Sequence, residues 1–364
     1  MGLTEVVFAA CAPGLEPALE REARLLGQPR CVAGGVEIEG GEGLVRRANL
    51  WLRTAGRVSL RLTELPLGTP KALADAVAAI DLRPYRRPGE PLELEILSRA
   101  PGFPERRLRP LLERALAPLA PADGRGTGPS LRLRISQGRF ELGLDTSGEP
   151  LSRRGYRLEG SRAPLRETLA AGLLRLAGYD GGEPFWDPFC GSGTLAIEAA
   201  AMARRRAPGV ASGFAFERWP CHDRVAWARE LEVARAGERS AGAPPVGGSD
   251  LNAGALGTAR RNARRAGVEV DWFRHDATAH WPGRPAAGLL ASNLPFGKRV
   301  GERGELPRLY RAFGRALADL PGWRVAVLVP EGELGRELRW TAEESHRLSN
   351  GGLPCLLLVG RANH

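Results

Sequence analysis

Between Phe185 and Ala203 the chain runs from an apolar pair, Phe185-Trp186, through Asp187-Pro188-Phe189-Cys190-Gly191-Ser192-Gly193-Thr194 into the helix-forming run Leu195 to Ala203. A strand that turns on glycines straight into a helix restricts the fold to α/β classes more sharply than any other stretch. In open α/β sheets that junction lies at the carboxyl edge of the strands, where backbone can approach a ligand and the helix N-terminus offers free N–H groups. The Lys-Ser/Thr of a phosphate-binding loop is missing, and Asp187 stands where a pyrophosphate would be repelled, so the turn suits a cation better. A ligand-free turn explains an isolated Gly-x-Gly equally well. The decision therefore rests on what the other strand ends carry.

A chain of 364 residues with 43% hydrophobic and 26% charged residues has room for two or three globular domains. No apolar run approaches the ~20 residues of a membrane span, and the N-terminus carries no basic segment leading into an apolar core. These features predict a cytoplasmic protein with no membrane partner. Cys11, Cys31, Cys190, Cys221 and Cys355 include no Cys-x-x-Cys pair, and the histidines show no ligand spacing, so neither a disulfide framework nor a metal site is expected. The net charge of +10 fits a polyanionic partner. All the basic residues except Lys71 and Lys298 are arginine, which with the abundant Ala, Gly and Pro reflects a GC-rich genome as much as arginine chemistry.

In chain order, Val6 to Ala10 reads as a strand and Pro13 to Leu26 as an amphipathic helix. Cys31 to Glu39 reads as a second strand broken by Gly34-Gly35, Leu44 to Leu52 as a helix, and Val58, Leu60 and Leu62 as a third strand. A further round follows, with a helix over 69 to 80, a strand over 92 to 97 and an arginine-rich helix over 104 to 119. A Pro/Gly loop over 121 to 129 then leads to a hairpin in which Leu131, Leu133 and Ile135 alternate against Phe140, Leu142 and Leu144. A boundary is expected near residue 155. Beyond it, a helix over 165 to 177 precedes the glycine turn, and an aromatic-containing insertion over 207 to 222 precedes another helix, which ends at Ala236. Strands then end near Asp250, Asp276 and Asn293, and a terminal hairpin closes the chain.

Strand ends bearing Asp187, Asp250, Asp276 and Asn293, separated by helices, place four polar groups along one edge of a mostly parallel sheet. An acid after the second strand is placed to accept both hydroxyls of a ribose. A carboxylate after the third can take an adenine amino group, and Asp187 with its turn can hold an amino-acid moiety. Such a ligand is S-adenosylmethionine. Asn293-Leu294-Pro295-Phe296 then suits methylation of an exocyclic amine on a planar base, whose lone pair is delocalised into the ring. The Asn293 side-chain carbonyl and the Leu294 main-chain carbonyl can accept the two N–H bonds, while Pro295 turns Phe296 to stack on the base. Each acid alone is more simply a helix cap, and the loop alone a turn with a buried Phe; in order, together, they make a methyl-transfer site.

The stretch Asp187 to Thr194 with Asn293 to Gly297 resembles the amino-group methyltransferases. Arg154-Gly155-Tyr156-Arg157 and the run Ala163 to Ala171 narrow the likeness to the THUMP-domain guanine-N2 RNA methyltransferases, most of all those modifying 23S rRNA of the large ribosomal subunit. Gly14-Leu15-Glu16, Gly34-Gly35-Val36 and Asn49-Leu50-Trp51-Leu52-Arg53 are similar to the family's ferredoxin-like opening segment. The resemblance implies a ferredoxin-like segment over 1–64, a THUMP RNA-docking domain over 65–155 and a methyltransferase domain over 156–364, this last a Rossmann-like sheet of seven strands with the last antiparallel. It implies that Thr168, Asp187, Pro188, Phe189, Cys190, Gly191, Ser192, Gly193, Asp250, Leu251, Asp276, Ala277 and Asn293 hold the donor. Asn293, Leu294, Pro295 and Phe296 would hold the target amine.

The Leu294 and Phe296 variant of this loop is the form typical of the THUMP-containing tRNA enzymes, which leaves rRNA and tRNA both open. Arg154-Gly155-Tyr156-Arg157 and the insertion before Asp250 favour the ribosomal side. A non-catalytic RNA-binding assembly factor of the same fold would be expected to have lost Asp187, Asp250 or Asn293, and all are present. Arg106, Arg107, Arg109, Arg132 and Arg134 are candidates for phosphate contacts. A guanine amino group inside a helix is out of reach, so the target base should be unpaired or flipped.

Overall fold

The computed structural model describes residues 4–98, 100–117, 128–157, 165–239, 241–281, 285–296 and 305–362. Lys298, Gly297 at the end of the Asn293 motif, Ala163-Pro164 and most of the loop expected over 121 to 129 lie outside them. The chain divides into two compact units, one of Met1–Cys11, Glu20–Leu151 and Ser212–Glu232, the other of Ala12–Leu19, Ser152–Ala211 and Val233–His364.

The first unit is built on a seven-stranded sheet in the order β2-β3-β1-β4-β7-β6-β5. Its strands are β1 (Glu5–Ala10), β2 (Gln28–Val32), β3 (Gly35–Gly40), β4 (Arg57–Pro66), β5 (Glu93–Ser98), β6 (Ser130–Ser136) and β7 (Arg139–Asp145). The helices are α1 (Glu16–Ala23), through which the division between units passes, α2 (Leu44–Trp51), α3 (Pro70–Ala78) and α4 (Glu105–Leu116). The stretch read as one broken strand is instead the hairpin β2/β3, because Gly34 at φ +82° turns the chain back on itself. The ten-residue β4 pairs with β1 on one side and β7 on the other, with a register shift between Arg61 and Thr63, so the division expected at 64/65 falls inside one strand. The β6/β7 turn is Gln137-Gly138, both at positive φ (48° and 73°), which matches the right-handed twist of a tight hairpin. Leu108, Leu112 and Leu116 form the buried stripe of α4.

The segment Ser212–Glu232 belongs to this first unit although it lies deep in the second half of the sequence. The Ala215 and Phe216 N–H groups donate to the Ser147 and Thr146 carbonyls at 3.3 and 3.2 Å, and Cys221 N–H donates to the Pro84 carbonyl at 3.0 Å. Phe214 and Phe216 stack with centroids 5.5 Å apart, Trp227 meets Phe216 edge-on at 5.3 Å, and Arg46 pairs with Glu230 at 2.9 Å. The insertion expected over 207 to 222 is thus divided, its aromatic part from Ser212 onward belonging to the N-terminal unit and its first residues to the second.

The second unit carries α5 (Glu167–Leu176), β8 (Phe185–Asp187) and α6 (Thr194–Ala203), followed by α7 (Arg224–Ala236), most of which lies in the first unit. Then come β9 (Val246–Asp250), α8 (Ala253–Ala266), β10 (Asp271–Arg274), β11 (Gly288–Asn293), α9 (Glu305–Leu317), β12 (Trp323–Pro330), β13 (Glu344–Asn350) and β14 (Leu353–Arg361). The sheet order is β10-β9-β8-β11-β12-β14-β13, with β10, β9, β8, β11 and β12 parallel and β14 antiparallel to both neighbours. This is the Rossmann-like seven-stranded sheet with an antiparallel last strand. Its order reverses at β8, with β9 on one side and β11 on the other, and that switch opens a crevice at the carboxyl ends of the strands. Leu306, Tyr310, Phe313 and Leu317 put the apolar face of α9 on a core with Leu290, Trp323 and Val325.

Candidate active site

The parallel register brings the strand-end groups to one edge. Asp187 ends β8, Asp250 ends β9 next to Arg274 of β10, and Asn293 ends β11 three residues beyond Leu290, the partner of Trp186. The 188–193 turn is held from both sides. Cys190 N–H donates to the Ser249 carbonyl at 2.9 Å, Gly191 N–H to Asp250 Oδ2 at 3.0 Å, and the Asn262 amide to the Ser192 carbonyl at 3.0 Å. Gly191 has φ +52° and a β-carbon on it would meet nothing within 4 Å, so the turn faces open space. Gly193, the N-cap of α6, has no side chain to satisfy the first helical N–H groups.

Asp187 is 2% exposed and accepts from Ser292 Oγ at 2.5 Å and from Phe189 N–H at 3.2 Å. Burial pushes its carboxyl up to about 7, the Asp250 charge adds to this, and the two hydrogen bonds oppose it. Burial and the same two acids hold the Cys190 thiol protonated, so Cys190 serves packing rather than nucleophilic attack. Asp250 also accepts from Asn252 N–H at 2.8 Å, and Asn252 caps α8 by accepting from the Gly254 and Ala255 N–H groups. Leu251, the next residue after Asp250, is 56% exposed. Asp276 is exposed beyond β10, where its Oδ1 takes both the backbone N–H and the hydroxyl of Thr278, at 2.9 and 2.7 Å.

Across the switch, Leu294 N–H donates to the Leu328 carbonyl at 3.1 Å and the Tyr310 hydroxyl donates to the Pro295 carbonyl at 3.1 Å, which fixes the loop after β11. Asn293 Oδ1 is buried and, among the described residues, has no hydrogen-bond partner. A buried carbonyl oxygen in that state is open to a donor from outside the described residues. Phe296 is half-buried, and no described ring packs on it. Pro188 is buried, and Phe189 meets Phe313 edge-on at 5.1 Å.

Two of the expected residues stand apart. Ala277 turns its side chain into the core with Trp186 and Leu290, leaving only its backbone to the edge. Thr168 is buried near the start of α5 and shares no hydrogen bond with the strand-end groups among the described residues. Sequence reasoning missed Ser292, Asn262 and Tyr310. Asn262 left a trace as a polar residue on the otherwise apolar stripe of α8, while Ser292 and Tyr310 are ordinary strand and helix residues until the register is known.

The arginine candidates separate as well. Arg134 donates to Glu37 and Glu141 and lies 3.9 Å over the Phe8 ring, Arg132 pairs with Glu95, and Arg109 with Glu105 and Glu113. Arg106 and Arg107 are exposed on α4. Arg154 and the Tyr156 hydroxyl both reach Glu198 on α6, at 2.9 and 3.1 Å, and Arg157 reaches Glu167, so the Arg-Gly-Tyr-Arg stretch is a buried brace of the second unit. No group of metal-ligating side chains is gathered among the described residues.

Residues 154–358 match the family described as RMKL-like, methyltransferase domain, and residues 6–59 match the RlmL ferredoxin-like domain. The chain belongs to the RMKL-like methyltransferase family. A ribosomal RNA large subunit methyltransferase K/L of Magnetococcus marinus is 34% identical over 97% of the chain, which spans 52% of that protein, about half the length of the K/L relatives. A Synechocystis protein described as an RNA methyltransferase is 32% identical and is matched over 96% of its length, with 98% of this chain covered. A solved protein described as a methyltransferase and complexed with SAH has 27% identity and a TM-score of 0.86, with 99% of both chains covered. TrmN from Thermus thermophilus has 25% identity and a TM-score of 0.70, covering 98% of this chain and 99% of its own. The RMKL-like match spans the Rossmann-like sheet, and the RlmL match ends inside β4, the strand shared across the N-terminal sheet. Among the described residues no helix is long and apolar enough to cross a membrane.

Proposed function

We propose that this RMKL-like protein transfers a methyl group from S-adenosylmethionine to the exocyclic N2 amine of a guanine in 23S rRNA, in the cytoplasm. The observation that carries the reading is the buried Oδ1 of Asn293, without a partner among the described residues and one strand away from the glycine turn and Asp187. The residues present fit the donor. Gly191 leaves room for close approach, the α6 N-terminus is uncapped by any side chain, and Asp187 and Asp250 set carboxylates on either side of the turn. Thr168, Asp187 through Gly193, Asp250, Leu251, Asp276, the Ala277 backbone and Asn293 would hold it. When bound, S-adenosylmethionine supplies an electrophilic methyl group on a sulfonium.

The chain's own residues then have three tasks. Asn293 Oδ1 and the Leu294 carbonyl accept the two amine N–H bonds, which localises the nitrogen lone pair. Phe296 stacks on the flipped base and fixes its plane, so that alignment provides most of the acceleration. The amine proton leaves to water after the N–C bond forms, and no side chain need act as a strong base. The ferredoxin-like segment over 1–64 and the THUMP portion over 65–155 dock the RNA.

Methyl transfer from labelled donor onto purified rRNA and tRNA of cells lacking the gene tests this reading; label in 23S rRNA is expected, and label in tRNA alone would sink the rRNA assignment. The tRNA guanine-N2 reading is favoured by one observation, the Asn-Leu-Pro-Phe form of the loop. Binding of RNA without any transfer would mark an assembly factor instead.

A further inference from the structure

The indole of Trp272 on β10 lies against the back of the glycine turn, and the sequence around it is shaped to admit it. A β-carbon on Gly193 would stand 2.6 Å from Trp272 Cη2, and one on Gly248 of β9 would stand 2.4 Å from Cζ3 and 2.8 Å from Cε3. Real β-carbons do not approach ring carbons so closely, so both positions stay glycine while the ring is there. Gly193 has φ +86° and would be glycine in any case, but Gly248 is not among the glycines at positive φ. Its lack of a side chain is explained first by the ring, with Cys190 Cβ the next neighbour at 3.3 Å.

The same hypothetical β-carbon on Gly248 would stand 3.3 Å from Cys190 Cβ, so the indole, Gly248 and the first residue of the turn form one contact layer. Trp272 is paired with Gly248 in the β10/β9 register, and its carbonyl accepts from Arg260 of α8 at 3.1 Å. The residue is thus fixed at its backbone, and its ring packs against Gly193 at the end of the turn and against Gly248, which lies beside Cys190 at the other. We propose that Trp272 is a positioning residue for the methyl donor, its indole holding the turn at the height the donor needs. This inference rests on the donor reading given above.

Equilibrium binding of S-adenosylhomocysteine to the full chain, measured by calorimetry with a thermal transition recorded for every variant, tests it. Trp272→Leu is expected to weaken binding about tenfold and to raise the donor KM by a similar factor, with kcat within about twofold of wild type. Trp272→Phe keeps ring carbons over Gly248 but does not reach Gly193, and should fall in between. Gly248→Ala should lose at least as much binding as Trp272→Leu, and adding Trp272→Leu to it should bring binding back to the level of Trp272→Leu alone. Folded Trp272→Leu, or folded Trp272→Phe if the leucine variant does not fold, with wild-type affinity would overturn the proposal. So would a double variant no better than Gly248→Ala. Wild-type protein that fails to bind S-adenosylhomocysteine at all would overturn the donor reading itself, and the role of the ring with it.

Discussion

The two sides of the β8 switch differ in how completely the protein satisfies its own polar groups. On β8 and the strands β9 and β10 beyond it, Asp187 is met by Phe189 and, from β11, Ser292, Asp250 by Gly191 and Asn252, and Asp276 by Thr278. On the side of β11, Asn293 keeps a buried oxygen that nothing among the described residues satisfies. Folding alone can set the first arrangement. The second carries a desolvation penalty of roughly 1–3 kcal/mol that no described residue relieves. Groups of the first kind should therefore govern shape and donor affinity, and the second kind turnover.

The largest expected effect breaks the comparison at its open end. Asn293→Ala should lower kcat by roughly 10²–10³, the range for deleting one acceptor or donor aimed at developing charge. Its affinity for S-adenosylhomocysteine should fall by only about threefold, because Asn293 is one of many groups that would hold the donor but the side chain that accepts from the target amine. A loss of affinity as large as the loss of kcat would make Asn293 chiefly a donor contact and erase the distinction.

Arg134 applies the same rule to the N-terminal sheet. It is 12% exposed and shared between Glu37, which Arg30 and Arg61 also meet, and Glu141, so Arg134→Ala strands the buried Glu141 carboxylate and should cost roughly 3 kcal/mol of stability in a denaturant titration. Its RNA affinity at fixed salt should hardly change. An unchanged stability with a shallower salt dependence of binding would instead make Arg134 a phosphate contact.

Asp187 gives the next effect, about tenfold, and it depends on pH. Its folded pKa is raised from 3.8 to about 7 by burial, with Asp250 adding to it. Between those values the folded protein holds a proton that the unfolded chain has released, so stability falls as pH rises across that window. Asp187→Asn should remove this fall. A ligand ammonium favours the ionised carboxylate, so wild-type affinity for S-adenosylhomocysteine should climb with pH by at most about tenfold per unit until near 7, then level off. In Asp187→Asn the profile should be flat and the affinity at pH 8 about tenfold weaker. A wild-type profile already flat below pH 7 would show that Asp187 does not face the donor's charge.

Much of this was legible in the sequence because strand ends announce themselves. Asp187, Asp250, Asp276 and Asn293 each follow an apolar run and precede a helix or turn, and parallel topology does the rest. The N-terminal sheet read less well, since Gly34-Gly35 marks a hairpin and a broken strand alike, and β4 serves two strand neighbourhoods that no periodicity separates. The segment Ser212–Glu232 was illegible for a different reason. Its place in the N-terminal unit comes from the Ala215 and Phe216 N–H groups meeting the Ser147 and Thr146 carbonyls and from Arg46 pairing with Glu230, and contacts of such sequence separation leave no local pattern. Ser292 and Trp272 were hidden likewise, because their roles exist only once β11 lies beside β8 and β10 beside β9.

Leu251 provides the smallest and most selective test. An apolar side chain left 56% exposed directly after Asp250 gains from being covered by a flat purine, and truncation to alanine forfeits roughly 1 kcal/mol of that burial. Leu251→Ala should therefore weaken S-adenosylhomocysteine about fivefold and leave kcat and the thermal transition unchanged, since the side chain supports little of the fold. Sinefungin or adenosine, which keep the purine, should lose the same factor, whereas free homocysteine should lose none. Equal losses for all of these ligands would mean that Leu251 shapes the Asp250 turn instead of covering the base, and would move it to the side of the edge that folding alone has satisfied.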